Sequence, residues 1–263
     1  MRGFEILDSG EMLYVEESGI GPPLVCIHGL GGGAYFFSGM AEALKNRVRV
    51  IAFDLPGAGF SRRAHEPFSF ERCAEMIVEL AAKRAGGPFI LLGHSLGTIL
   101  ALKVSARIPE GVRKIISVGG LPEALPLVKI RLRERAELIR KNGMPGIGDS
   151  ALPVMLSEKS MLSMPDKVFL LRRLLEMTDA VGYIEMAGAL AGASAIQEAY
   201  ALRAPFFAIT GSVDRYAPPA AVEAFLQTLS GPNRQIVLEE CGHLPFFEQP
   251  EEFYRAVAEC VEA

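Results

Sequence analysis

The chain carries no excess of basic charge. Its 27 lysines and arginines stand against 31 acidic residues, for a net charge of −4 over 263 residues. Nucleic-acid binding rests on clustered cations facing phosphate, so that class of partner is not expected. Long apolar runs are also missing. The most apolar stretch, Phe89 to Val104, is broken by Gly93, His94, Ser95, Gly97 and Thr98. It falls short of the roughly 20 apolar residues a membrane span requires. Residues 1–18 hold Asp8, Glu11, Glu16 and Glu17 and no continuous apolar core, so no signal peptide is expected. Cysteines are few. Cys26, Cys73, Cys241 and Cys260 show neither C-x-x-C spacing nor a neighbouring histidine cluster. That argues against a zinc site and fits reduced thiols in a cytoplasmic protein. No internal repeat is visible, which sets solenoids aside.

What remains is an ordinary globular mixture, half apolar and 22% charged. A chain of this length buries roughly three-quarters of its unfolded surface and needs no disulfide or metal to hold a core. Two alternating segments, Phe4–Leu7 and Met12–Glu16, flank Asp8-Ser9-Gly10 and predict a hairpin. Leu24–Ile27, Val48–Phe53, Phe89–Leu92 and Ile115–Val118 are apolar at successive positions, as buried parallel strands are. Between them lie amphipathic segments. In the clearest, Phe70, Ala74, Ile77 and Ala81 form a stripe that Gly86-Gly87-Pro88 ends. Strand–helix alternation of this kind predicts an α/β fold, a mostly parallel sheet flanked by helices.

From residue 122 to 200 the pattern turns helical, with no convincing strand and six of the ten methionines. The β-α rhythm then resumes with Phe206–Thr210, a helix from Pro219 to Leu229, Gln235–Leu238 and a last helix near Glu251–Val261. We therefore expect one core domain made of residues 1–121 and 201–263. Residues 122–200 form a helical cap over the carboxyl ends of the strands, where open α/β sheets place their sites. The first cap helix carries Lys129, Arg131, Arg133, Arg135, Arg140 and Lys141 beside an apolar stripe of Val128, Leu132, Ala136 and Ile139. One or two of these cations could meet a substrate carboxylate, but a solvated helix face is the simpler reading. The methionines suit an adaptable lining or an ordinary cap core.

The feature richest in chemistry is Gly93-His94-Ser95-Leu96-Gly97, which follows a strand and opens a helix over Leu96–Ala106. An abrupt strand-to-helix turn strains its central residue and leaves room only for glycine on either side. Ser95 is then presented as a nucleophile, which needs a base, normally imidazole. Of the four histidines, His243 follows the last strand and is the best candidate. His28 suits a buried hydrogen-bonding role, His94 points away from the hydroxyl, and His65 lies in a polar surface loop. Asp214, after the strand that follows the cap, can orient His243. This completes the order Ser95, Asp214, His243. The competing reading of Asp214 is a helix cap. Asp54 reads as part of a tight loop held by side-chain-to-backbone bonds. The backbone N–H groups of Leu30 and Leu96 are the candidate oxyanion donors.

The run His28-Gly29-Leu30-Gly31-Gly32-Gly33-Ala34 also fits a dinucleotide fingerprint, with Asp54 twenty residues after Ala34. That reading implies an NAD-dependent enzyme but leaves Ser95, Asp214 and His243 unexplained. No Lys-Ser or Lys-Thr follows the glycines, so a Walker-type loop is excluded.

Taken together, the glycine run after His28, Asp54-Leu55-Pro56-Gly57-Ala58-Gly59-Phe60-Ser61, the Ser95 turn, the Asp214 loop and Gly242-His243-Leu244 resemble the α/β-hydrolase superfamily over nearly the whole chain. Ser95 sets aside the dehalogenases and epoxide hydrolases of that superfamily, which use Asp as nucleophile. Leu244 replaces the Trp usual in its carbon–carbon bond hydrolases. The segment from Gly182-Tyr183 to Ala189-Leu190-Ala191 is similar to 3-oxoadipate enol-lactonases. The overall plan resembles small carboxylesterases of the pimeloyl-carrier methyl esterase type. Thr98 departs from the glycine many relatives have there, which bears on close helix–strand packing. The resemblance implies a serine hydrolase acting on a small to medium, partly apolar ester or lactone through an acyl-enzyme. It implies no metal or organic cofactor, and a monomer or homodimer. A carbon–carbon hydrolase or thioesterase on the same triad, and a non-turnover small-molecule receptor, are the alternatives.

Overall fold

The computed structural model describes residues 1–263. The chain opens with an antiparallel hairpin of β1 (Arg2–Ile6) and β2 (Met12–Ser18), its turn relieved by Gly10 at φ +85°. Six strands follow: β3 (Pro23–Ile27), β4 (Arg49–Phe53), β5 (Phe89–His94), β6 (Val112–Val118), β7 (Phe206–Gly211) and β8 (Asn233–Leu238). They form one eight-stranded sheet in the order β1-β2-β4-β3-β5-β6-β7-β8. β1 and β2 run antiparallel to their neighbours, and every pair from β4 to β8 is parallel. The expected α/β fold is thus the one observed. Each strand runs to within a few residues of its expected ends.

Helices connect the strands. α1 (Ser38–Ala43), α2 (Phe70–Arg84) and α3 (Leu96–Arg107) precede β6. Six helices then separate β6 from β7: α4 (Pro126–Asn142), α5 (Ile147–Met155), α6 (Glu158–Ser163), α7 (Pro165–Glu176), α8 (Ala180–Gly192) and α9 (Ile196–Tyr200). α10 (Pro219–Leu226), α11 (Pro245–Glu248) and α12 (Pro250–Glu262) complete the chain. β5 lies inside the sheet between β3 and β6, and all six of its residues are buried. Its apolar run is therefore continuous rather than alternating, because helices cover both faces.

In the helical insertion, α4 packs on α8 and α5 on α7. The buried residues of α4 are Val128, Leu132, Ala136 and Ile139, a single stripe at helical spacing. Lys103 on α3 ties α9 of this block to α2 and α3, with Nζ 2.6 Å from Glu198 and 2.7 Å from Glu71. The methionines of the insertion do not form a lining. Met144 and Met186 are core residues, Met177 is 78% exposed, and only Met155 reaches the cavity described below.

Candidate active site

At the carboxyl end of β5 the chain turns into α3 through Ser95, whose backbone sits at φ +54°, ψ −117°. A side chain in this region is strained, and such residues persist only where their surroundings dictate the geometry. The surroundings here are glycines. A Cβ on Gly93 would lie 2.3 Å from the carbonyl oxygen of Gly97, and one on Gly97 would lie 2.3 Å from that of Ile27. Backbone thus passes backbone with no room for a methyl group. Thr98 fits beside this turn because its hydroxyl donates to the Gly93 carbonyl at 3.0 Å and meets Ser117 Oγ at 2.9 Å. The space it takes is given up by Gly120, where a Cβ would meet Thr98 Oγ1 at 1.9 Å. Ser95 is the one residue from Phe89 to Ala101 that is not fully buried.

The loop after β8 brings His243 to the same edge. Its Nδ1–H donates to Asp214 Oδ2 at 2.8 Å, and both side chains are almost completely buried. The other Asp214 oxygen accepts from the amides of Tyr216 at 2.7 Å and Ala217 at 3.1 Å. Asp214 therefore both caps its own loop and orients the imidazole. Gly119 makes room for the pair, since a Cβ there would lie 3.0 Å from Asp214 Oδ2 and from His243 Nδ1. Tyr216 lies against the imidazole with ring centroids 4.7 Å apart.

Ser95, His243, Leu30 and Leu96 all line one cavity of about 650 Å³, measured to its open mouth. Ser95 Oγ makes no hydrogen bond within the protein, and catalytic hydrogen bonds often tighten only around a substrate. The Leu30 amide has no acceptor within the protein. That of Leu96 is the first donor of α3, one of those a helix leaves unpaired. The insertion contributes Val128, Leu132, Arg135, Met155, Leu175, Tyr183 and Leu190 to the same walls, which are mainly apolar.

Of the other histidines, His28 and His65 lie as their sequence neighbourhoods imply, and His94 lines the same cavity as Ser95. His28 is buried, with Nδ1–H donating to Gly29 O at 2.8 Å and Nε2 accepting from the Leu55 amide at 2.9 Å. Burial lowers its pKa. His65 is exposed. His94 is buried, and its Nε2–H donates to the carbonyl of His243 at 3.0 Å. Asp54 accepts from the Phe60 amide at 2.7 Å within its own loop and from the Ala34 amide at 2.6 Å at the end of the glycine run.

This arrangement leaves the dinucleotide reading without support. A Cβ on Gly29 would crowd His94, one on Gly31 would crowd Leu175, and one on Gly33 would crowd Asp54. The glycines are thus explained by packing. The run leads into a single 3₁₀ turn and the six-residue α1, not into a long helix aimed at a pyrophosphate. No three His, Cys, Asp or Glu side chains gather in a group that could hold a metal. No helix is long and apolar enough to cross a membrane.

Tyr216 gave no signal in the sequence, and Tyr183 stood out only within the segment similar to enol-lactonases. Arg135 was one of six cations weighed together as partners of a substrate carboxylate. The signal that could have separated it is its spacing: with positions 128, 132 and 139 it falls in the apolar stripe of α4, where a solvated cation does not belong.

Fold and site together define an α/β enzyme architecture with a polar constellation at the strand ends. A sequence profile of the alpha/beta hydrolase family matches residues 24–256, and the chain belongs to that family. It is similar to a pimeloyl-[acyl-carrier protein] methyl ester esterase of Aeromonas hydrophila, at 28% identity over 92% of this chain and 96% of that one. A protein of the same name from Neisseria meningitidis is 30% identical over 90% and 92%. Among solved structures, a thermophilic esterase from Thermogutta terrifontis superposes with a TM-score of 0.91 at 24% identity, covering 100% of this chain and 98% of that one. The enol-lactonase of Burkholderia xenovorans LB400 does so with 0.91 at 22%, covering 99% and 100%. The protein is therefore a hydrolase of this family with esterase relatives.

Proposed function

We propose that the protein is a serine hydrolase cleaving a carboxylic ester or lactone of modest size through an acyl-enzyme. The observation that carries this reading is the His243–Asp214 hydrogen bond at 2.8 Å, with His243 and a serine held at positive φ lining the same cavity. Ser95 Oγ attacks the substrate carbonyl as His243 Nε2 takes its proton. Asp214 keeps Nδ1 protonated and stabilises the imidazolium that forms. Negative charge moves to the carbonyl oxygen, where the Leu30 and Leu96 amides meet it. The proton then returns to the leaving alcohol, and water repeats the sequence to release the acid.

In this reading residues 122–200 act as the cap, supported by the side chains they contribute to the walls of the cavity that Ser95 lines. The esterase and lactonase relatives support this reaction class. A fluorophosphonate probe tests it. Rapid labelling and turnover of short p-nitrophenyl esters are expected in the wild type and absent in Ser95→Ala. Failure of the wild type to label, or unimpaired turnover in the variant, refutes the assignment. A wild type that neither labels nor turns over but binds a small ligand would be the receptor instead.

A further inference from the structure

One charged side chain in the cavity has no role in that sequence of steps. Arg135 projects from the apolar stripe of α4 into the cavity wall. Its Nη1–H donates to Tyr183 Oη at 3.2 Å and its Nη2–H to Tyr216 Oη at 3.0 Å. Both partners are neutral, and no carboxylate lies within 4.0 Å of it. The other three of its five N–H groups have no partner in the protein.

The carboxylates nearest the cavity are committed elsewhere, and Glu134 on the same helix is exposed to solvent. Glu123, the one carboxylate lining the cavity, pairs with Lys129 at 3.0 Å. Glu137 on α4 pairs with Arg140 on the solvent side. Asp214 is taken up by His243 and by the amides of Tyr216 and Ala217. The cavity therefore presents one unneutralised cation in a mainly apolar wall. Burial disfavours this charge, and the two tyrosine hydroxyls offset part of that penalty by accepting from the guanidinium. A half-buried cation without a counter-ion carries a desolvation cost, and an arriving anion offsets it.

We propose that Arg135 binds a carboxylate carried by the substrate itself. The substrate class is then a half-ester of a dicarboxylic acid or a lactone bearing a carboxylate. A single guanidinium matches one negative charge, and its planar fork fits a carboxylate. The two tyrosines orient the fork without cancelling its charge. Tyr216 also packs against His243, so the anion binds one aromatic ring away from the proposed base. The inference rests on the ester-hydrolase reading and names its substrate class.

The test compares kcat/KM for monomethyl adipate and for methyl hexanoate, a pair differing in one terminal carboxylate. The wild type is expected to prefer the anionic ester. In Arg135→Gln the ratio of the two values is expected to fall about 10- to 100-fold, as loss of a charge-assisted hydrogen bond predicts, mostly through KM. Arg135→Lys should recover part of it. A role limited to bracing the tyrosines would lower both values together, and an unchanged ratio overturns the proposal. Should Arg135→Gln fail to fold, adipate competition against p-nitrophenyl acetate in the wild type decides instead. Competition by adipate but not by 1,6-hexanediol is expected, and equal or no competition by the two refutes the assignment. Fluorophosphonate labelling of Ser95 keeps the readings apart: labelling without anion preference sinks only Arg135's role, and no labelling sinks the hydrolase.

Discussion

His94 donates its Nε2–H to the main-chain carbonyl of His243, and the two rings lie with centroids 4.9 Å apart. Because the acceptor is a carbonyl, Nε2 must carry the hydrogen, which leaves Nδ1 unprotonated. That atom is buried with no hydrogen-bond partner. Protonating it would create a charge that neither water nor a carboxylate could compensate. Burial first, then the proximity of His243, keeps the His94 pKa well below the usual histidine value. The side chain next to the proposed nucleophile thus acts as a neutral prop beneath the backbone of the proposed base.

The pH dependence of stability follows from this. His94 and His28 both have lowered pKa values in the folded state. Below about pH 6.5 the unfolded chain takes up protons that the native state refuses, so stability present above that pH is lost on acidification. Each histidine contributes a slope of up to about 1.4 kcal/mol per pH unit. Urea unfolding at intervals between about pH 5 and 7.5 should show this decline. His94→Gln, which can keep the donor to His243, should flatten it by about one proton. An unchanged slope in that variant would show that His94 titrates normally.

Asp214→Asn tests the hydrogen bond that orients His243. The amide oxygen of asparagine can still accept from Tyr216 and Ala217, so the loop should survive. Its NH2 group would then face Nδ1 and favour the wrong tautomer, with the hydrogen on Nε2. By analogy with the same change in serine proteases, kcat should fall by about 10⁴-fold. Steady-state turnover of a p-nitrophenyl ester, with circular dichroism as the folding control, measures this. A loss smaller than tenfold would mean that Asp214 serves only its loop.

Much of this architecture is legible in residue order. Parallel strands announce themselves because burial on both faces makes them apolar without alternation, as in β5. The turn at Ser95 is legible because backbone contacts at Gly93 and Gly97 leave a narrow choice of residues. Ser95, Asp214 and His243 could be picked out since each follows a strand, and they now lie at one edge of the sheet. The proposed role of Arg135 was obscured by five other cations on the same helix, three of which, Arg133, Arg140 and Lys141, are exposed. Its place in the apolar stripe set it apart from them, but its partners, two tyrosines far apart in sequence, are visible only in three dimensions. Thr98 was misleading for a similar reason: the glycine that accommodates it, Gly120, lies 22 residues away and shows no link in sequence.

Gly93→Ala tests whether the turn tolerates a side chain. The added methyl would press on the Gly97 carbonyl and on the Thr98 nitrogen, at 2.3 and 2.7 Å. Both are backbone atoms of the helix that carries the proposed site, so neither can swing aside. Overpacking of this kind costs typically about 1–3 kcal/mol. Thermal unfolding should register a drop of several degrees, since about 1 kcal/mol shifts Tm by roughly 2–4 °C at this size. Fluorophosphonate labelling should fall further than the stability loss accounts for, because Ser95 is displaced. Wild-type Tm and labelling would show that the turn is looser than its geometry implies.

Glu248 is the last link between the insertion and the loop that bears His243. Its buried carboxylate accepts from the Gly242 amide at 2.9 Å through Oε1 and from the Ser157 amide at 2.8 Å through Oε2. The neighbouring His243 amide donates to the carbonyl of Met155, so the loop is fastened to the end of α5 and the start of α6 from both sides. Glu248→Gln exchanges one acceptor for a donor that faces another N–H. One amide is then left unsatisfied, at a cost of about 1–3 kcal/mol. His243 should also lose its fixed position, and a displacement near 1 Å can lower turnover about 100-fold. The expected signature is a kcat loss with little change in KM, because Glu248 does not line the cavity. A variant with lowered Tm but full kcat would show that Glu248 braces the fold without placing His243.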